Sequence, residues 1–79
     1  MRRKQESKYP TFAANLRVAM DSAGLKQDGL AREAGVSYHT VNAWCRGLSE
    51  PKGRQLVALS EALDREPAWF FSTPSEEAA

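Results

Sequence analysis

The stretch AGVSYHTVNAWCRG, residues Ala34–Gly47, decides how this chain folds. It predicts a short helix with two different sides. Successive helical residues turn by about 100° around the axis, so Val41 and Trp44 share a side suited to a core. Another side carries polar or small residues: Tyr38, His39, Asn42 and Ala43. A small domain has little reason to present that second side to water unless it serves a function.

The length and composition limit what the chain can be. A chain of 79 residues forms one domain with one core, which argues against a deep enzyme cleft. Its single cysteine, Cys45, cannot form an internal disulfide, so a reducing cytoplasm is the default location. The basic N-terminus lacks the apolar stretch of a signal peptide, and no segment approaches the ~20 apolar residues of a membrane span. We therefore expect a soluble protein with no membrane partner.

The first predicted helix is marked by apolar residues at regular spacing. Phe12, Leu16 and Met20 recur at i, i+4 and i+8, which predicts a helix over about residues 9–22. Gly24 suits the left-handed conformation that ends a helix, and an apolar residue just after it can fold back onto the last turn.

Two further helices are joined by a tight turn. The second is predicted over Gln27–Ala34 and stops at Gly35. The third runs to about Cys45, with Ser37 offering its hydroxyl as a cap and Thr40 in the reciprocal position. Two short helices joined in this way form a helix-turn-helix.

The last third of the domain predicts two more helices. Leu56, Leu59 and Leu63 mark the fourth, and Pro67 suits the first turn of a short fifth within REPAWFF. The prediction is an all-α protein of five helices with a domain over residues 9–72. Residues 1–8 are expected to be a mobile basic arm, and residues 73–79 a disordered tail or a truncated linker.

The outer side of the third helix is suited to the major groove of DNA, where base edges present hydrogen-bonding patterns and thymine methyl groups. Asn42 could pair with adenine and His39 could donate to guanine. Tyr38 and Ala43 could contact thymine methyl groups or sugar. Each good base contact would discriminate by roughly 1 to 3 kcal/mol.

The segments LKQDGLAREAGVSYHTVNAWCRG, SEP and LVALSEALDREPAWFF resemble the Cro and repressor type of helix-turn-helix regulators of phages and bacteria. The resemblance covers about Phe12–Phe71. It implies a lambda-repressor-like DNA-binding fold with the helix-turn-helix at helices 2 and 3. It also implies a transcriptional regulator that binds a near-palindromic double-stranded operator as a weak homodimer, with its reading helices about 34 Å apart.

The resemblance also assigns roles to individual residues. The positions that read bases are Ser37, Tyr38, His39, Asn42 and Ala43. The positions that contact the DNA backbone are Gln27, Thr40, Arg46 and Lys52. Candidates for a dimer contact are Pro67, Phe70 and Phe71, while Trp69 is expected in the core.

One pair of positions departs from the family pattern. Many members carry an acidic residue where Cys45 stands and a basic residue where Met20 stands, as a partly buried ion pair. Both positions are apolar here. Because well-packed apolar groups often replace a buried ion pair without loss of stability, the paired change is consistent with the fold.

Charge is distributed unevenly along the chain. Through Arg54 there are ten basic and five acidic residues, and from Gln55 there are one and five, within a net charge of +1. The positive first part would orient the molecule toward a polyanion. Arg2, Arg3 and Lys4 are either an arm laid along DNA or a solubilising tail.

Catalytic and metal sites are not indicated. His39 and Cys45 lie some 120° apart around a helix and could not share a ligand, and zinc needs about four clustered ligands. We expect no enzyme activity, no cofactor and no small-molecule substrate. The alternative function is a protein-binding module on the same fold, as in an antitoxin or docking domain, with Tyr38, Phe70 and Phe71 as anchors.

Overall fold

The computed structural model describes residues 7–73, which contain four α-helices, one short 3-10 helix and no strand. The elements are α1 (Pro10–Ala23), α2 (Gln27–Ala34), α3 (Tyr38–Cys45), α4 (Arg54–Leu63) and the 3-10 helix (Pro67–Phe71). The four α-helices confirm the predicted ones. Most of the predicted arm and of the predicted tail, residues 1–6 and 74–79, lies outside the described residues. No helix in the described part is long and apolar enough to cross a membrane.

The predicted count of five helices is not confirmed, because the last element, at the predicted place, is a five-residue 3-10 helix. The 3-10 helix is tighter than the α-helix and occurs mostly in such short pieces. Here Asn15 of α1, only 1% exposed, fixes the segment by donating from Nδ2 to the carbonyls of Trp69 at 3.3 Å, Phe70 at 2.9 Å and Ser72 at 2.7 Å. These tertiary hydrogen bonds use carbonyls that a longer α-helix would need for its own ladder.

The ends of the α-helices share one arrangement. At the end of α1 the Gly24 N–H donates to Asp21 and the Leu25 N–H donates to Met20, at 3.2 and 3.0 Å, which confirms the predicted stop. At the end of α4 the left-handed position is taken by Asp64, with φ of 55°. Asp tolerates this conformation better than most residues.

The core lies between all four α-helices and the 3-10 helix, and α2 contributes Leu30 and Ala31 to it. Trp44 and Val41 are buried, as predicted, and Trp44 is among the largest fully buried side chains. α2 packs against α3 and α4, and α1 packs against α3 and the 3-10 helix. This packing buries one side of α3. Burial of each large apolar side chain stabilises the fold by about 1.5 to 3 kcal/mol.

The aromatic end of the chain is buried differently from the prediction. Phe70 is 0% exposed, with its ring centroid 5.8 Å from that of Phe12. It therefore has no surface to offer to a partner chain, and its assignment to a dimer contact is corrected. Trp69 is half-buried beneath the Arg65 guanidinium, 4.2 Å from its ring centroid. Phe71 stacks on Phe12 at 5.7 Å but stays 46% exposed.

Candidate nucleic-acid interface

The N-terminus of α3 is fixed by a side-chain cap. Ser37 Oγ accepts a hydrogen bond from the Thr40 backbone N–H at 3.1 Å and lies 2.9 Å from Thr40 Oγ1. This is the predicted cap, and such caps contribute typically about 1 kcal/mol. The hydrogen bond between the two hydroxyls uses one of their two O–H donors, so the other remains for an outside partner.

The outward side of α3 divides into an exposed and a half-buried part. Tyr38 is 52% exposed and His39 is also exposed, with their ring centroids 6.2 Å apart in an edge arrangement. Asn42 and Ala43, one turn further on, are half-buried. The predicted face therefore exists, and its first turn is the part that protrudes most.

A hydrogen bond between amide side chains connects α2 to α3. Asn42 Nδ2 donates to Gln27 Oε1 at 3.1 Å. Gln27 is the first residue of α2, so a predicted backbone-contacting residue and a predicted base-reading residue meet at the surface. Sequence spacing alone did not predict this contact between residues 15 positions apart.

The turn between these helices sets their relative position. Gly35 has φ of 72°, a left-handed conformation that costs most L-residues about 1 to 2 kcal/mol. The next N–H, of Val36, donates to the Ala31 carbonyl at 3.0 Å, and the Val36 side chain packs against the core. The turn therefore fixes α3 so that its first residues face outward.

The C-terminal end of α3 is held by α1 and by residues 7–9, the segment that precedes α1. Arg17 Nη1 donates to the Cys45 carbonyl at 2.6 Å. The Gly47 carbonyl accepts from the Lys8 N–H at 2.8 Å, the Tyr9 N–H at 2.9 Å and Ser7 Oγ at 3.3 Å. We call these four hydrogen bonds the α3 clasp. A cation at a helix C-terminus also complements the helix dipole.

Gly47 is required for space as well as for conformation. Its φ is 74°, and a Cβ built there would overlap Ser7 Oγ and lie 3.2 Å from the Tyr9 carbonyl oxygen. Gly35, with nearly the same φ, has no heavy atom within 4 Å of such a Cβ. The clasp is therefore built around the missing side chain of Gly47.

The departure from the family pattern at Met20 and Cys45 is accommodated by contact between two sulfur atoms. Cys45 Sγ lies 3.6 Å from Met20 Sδ, and both residues are buried. Burial raises the pKa of the Cys45 thiol, and the nearby Arg17 charge partly opposes that rise. A neutral, enclosed thiol is a packing residue, which confirms the interpretation of Cys45 as core.

Positively charged side chains surround the two ends of the helix-turn-helix. Arg46 and Lys52 are exposed just beyond α3, and Lys26 is exposed just before α2. Between α1 and the start of α2 runs an open groove of about 340 Å³, whose lining includes Arg17, Lys26 and Gln27. Within residues 7–73 no three His, Cys, Asp or Glu side chains come together as a metal site.

Three residues important to this arrangement escaped the sequence prediction. The sequence assigns no role to Arg17, Asn15 or Ser7. The signal available for Asn15 was an amide on the apolar side of α1, next to Leu16, because a buried amide needs hydrogen-bond partners. No sequence signal distinguishes Arg17 or Ser7 from other polar surface residues.

Comparison with known proteins identifies similar chains. The family model described as "Helix-turn-helix" matches residues 16–70. The HTH-type transcriptional regulator DicA of Escherichia coli strain K12 is 36% identical over 66 residues, which are 84% of this chain and 49% of DicA. The regulator PrtR of Pseudomonas aeruginosa is 36% identical over 69 residues, which are 87% of this chain and 27% of PrtR. The chain thus spans half or less of the curated relatives that it matches.

Solved structures share the fold. The P22 c2 repressor, crystallised with a synthetic operator, superposes with a TM-score of 0.73 at 30% identity. The alignment covers 77% of this chain and 92% of the repressor chain. The arrangement of helices around the turn is therefore shared with a protein whose structure includes operator DNA.

Proposed function

The chain belongs to the helix-turn-helix family, and we propose that it is a sequence-specific DNA-binding transcriptional regulator that places α3 in the major groove. The observation that carries the proposal is the asymmetry of α3. Val41 and Trp44 are buried, while Tyr38 and His39 protrude. A helix presented in this way has the dimensions of the major groove. The similar P22 c2 repressor is crystallised in complex with a synthetic operator, which supports DNA binding by this chain.

Base reading is assigned mainly to the first turn of α3. Tyr38 and His39 are the most exposed groups there, and His39 offers a donor to guanine while Tyr38 offers apolar contact and a hydroxyl. Ser37 and Ala43 border this pair and complete the surface. Asn42 lies behind it.

Contacts with the DNA backbone are assigned to groups around the reading surface. Gln27 and Thr40 supply neutral donors, and Arg46 and Lys52 supply charge beyond the end of α3. Such contacts position the protein without reading sequence. Because cations release counterions from DNA, Arg46 and Lys52 should also set much of the salt dependence.

Dimerisation is assigned to the side of the molecule formed by α4 and the 3-10 helix. An open groove of about 420 Å³ is lined there by residues that include Val57 and Pro67, and both are exposed. Phe71 adds a large exposed apolar group nearby in sequence. We propose a weak homodimer through Pro67, Phe71 and Val57, so that two copies read a near-palindrome.

The first test is selection of bound sequences from random duplexes by the full chain, followed by titration of affinity against salt. We expect one preferred, near-palindromic sequence and an affinity that falls steeply as salt rises. Arg46→Gln and Lys52→Gln should each weaken binding to all sequences and reduce the salt slope by about 1.

The matched control is Arg32→Gln, which removes an exposed charge from the last turn of α2. It should leave the salt slope close to that of the wild type. If the wild type binds all duplexes equally, or if the three variants have equal slopes, the assignment of α3 and its flanking cations is wrong.

The alternative is a protein-binding module on the same fold. It is favoured by the exposure of two large aromatic side chains, Tyr38 and Phe71, because aromatic residues often anchor protein interfaces. Weak binding to DNA without sequence preference, together with a flat salt dependence, would support this alternative.

A further inference from the structure

We infer that Asn42 is a positioning residue, which orients Gln27 toward a DNA phosphate and does not itself read a base. The inference rests on the proposed function and deepens it. It starts from the hydrogen bond in which Asn42 Nδ2 donates to Gln27 Oε1 at 3.1 Å.

The polarity of this hydrogen bond decides what Gln27 presents to the outside. An amide side chain offers an acceptor oxygen and a donor NH2 group, whereas a phosphate oxygen only accepts. Because Gln27 Oε1 is occupied by Asn42, the oxygen faces α3, and Nε2 with its two N–H groups is the end that remains for a partner. With the hydrogen bond in this direction, Gln27 presents to the outside the donor group that a phosphate requires.

The position of Asn42 agrees with this role. It lies one turn after Tyr38 and is half-buried, as is Gln27, whereas Tyr38 and His39 are exposed. Asn42 is therefore set back from the exposed first turn of α3, and its amide meets Gln27 of α2. The same hydrogen bond links α2 to α3, so the phosphate contact and the reading surface keep a fixed separation.

The inference predicts that Gln27 and Asn42 act as one unit. In a double-mutant cycle on the selected operator duplex, we expect Gln27→Ala to weaken binding about tenfold, the loss of one hydrogen bond to a charged group. Asn42→Ala should weaken binding by a similar or smaller factor. The double variant should bind about as well as Gln27→Ala alone, because residues that share one interaction are not additive.

Two further measurements separate positioning from base reading. Sequence selection repeated with Asn42→Ala should return the wild-type preference. The salt slope should stay unchanged, since Gln27 is neutral and releases no counterion. His39→Ala is the matched control on the same helix. His39→Ala should change the preferred sequence. The binding free energy that it loses should add to the loss caused by Gln27→Ala.

The orientation of the amide is tested by Asn42→Asp. A carboxylate can only accept, so Gln27 would turn its NH2 group inward and its oxygen toward the phosphate. We expect Asn42→Asp to weaken binding more than Asn42→Ala does. That excess should shrink in the Gln27→Ala background, where only the repulsion between the new charge and DNA remains.

A reciprocal exchange of the two side chains distinguishes loss of the hydrogen bond from loss of folding. Gln27→Asn combined with Asn42→Gln keeps the summed length of the two side chains and should recover part of the affinity lost in either single variant. Thermal unfolding of each variant is measured beside its affinity.

Additive losses, or a changed base preference for Asn42→Ala, would overturn the positioning role while leaving DNA binding intact. A wild-type chain without sequence-specific DNA binding would overturn the proposed function and this inference together.

Discussion

The two ends of α3 are treated differently by the rest of the molecule. At the first turn, Tyr38 and His39 protrude, and the Ser37 cap holds the backbone. At the last turn, Trp44 and Cys45 are buried. The α3 clasp there holds the backbone carbonyls of Cys45 and Gly47. The last turn of α3 is therefore packed inside the molecule, while the side chains of its first turn are open to a partner. Stability and recognition occupy separate turns of one helix.

The largest effect expected at the inner end is that of Trp44→Ala. Removing a fully buried aromatic side chain leaves a cavity, and such substitutions cost about 3 to 5 kcal/mol. Urea unfolding measures the loss. Tyr38→Ala, at the open end, should change the free energy of unfolding by less than about 0.5 kcal/mol. Similar losses for the two variants would contradict the division between the turns.

The next effect compares the glycines that flank α3. Gly47→Ala should destabilise the domain by about 2 to 4 kcal/mol, from the left-handed backbone and the overlap with Ser7 together. Gly35→Ala meets no neighbouring atom and should cost only about 1 to 2 kcal/mol for the backbone. Adding Ser7→Gly to Gly47→Ala should recover part of the difference. Equal costs at the two glycines would show that the clasp leaves room for a side chain.

A smaller effect is expected from Arg17→Gln. The variant removes a charged donor from the Cys45 carbonyl, but the site is close to water, so we expect a loss of about 1 kcal/mol. Arg32→Gln serves as the control for removal of a charge alone. If both variants cost the same, the hydrogen bond of Arg17 contributes nothing specific to the position of α3.

The smallest effect concerns pH and the Cys45 thiol. Burial raises its pKa in the folded state, so the folded protein holds the thiol proton more tightly than the unfolded chain does. The resulting stability is complete below the unfolded pKa of about 8.5 and is lost as pH rises from there through the folded pKa. We expect alkaline pH to destabilise the wild type more than Cys45→Ala. A parallel decline in the two proteins would mean that the thiol is not protected.

Most of the fold could be predicted because its signals are local. The caps and the left-handed stops involve residues within about one turn, and the stripe of Phe12, Leu16 and Met20 spans about two turns. The last helix was predicted less well, since its form depends on hydrogen bonds from Asn15, far away in the chain. The assignment of Phe70 to a dimer contact was wrong because the sequence does not show which of two adjacent aromatic residues faces the core.

The candidate site could be predicted as a set of residues but not as an arrangement. The face that carries Tyr38 and His39 follows from helical periodicity alone. The contact between Gln27 and Asn42 depends on how α2 crosses α3, and the clasp depends on where the segment before α1 passes. Neither relation has a local signal. The sequence therefore names the groups that face a partner, while the structure shows which of them constrain each other.

The buried amide of Asn15 has a consequence for the order of folding. Its acceptors lie 54 to 57 residues further along the chain, so these hydrogen bonds close a long loop at an entropic cost that favours their formation late in folding. We expect Asn15→Ala to accelerate unfolding and leave the folding rate nearly unchanged, a φ-value near zero in stopped-flow kinetics. The 3-10 helix would then be the last element to dock and the first to detach.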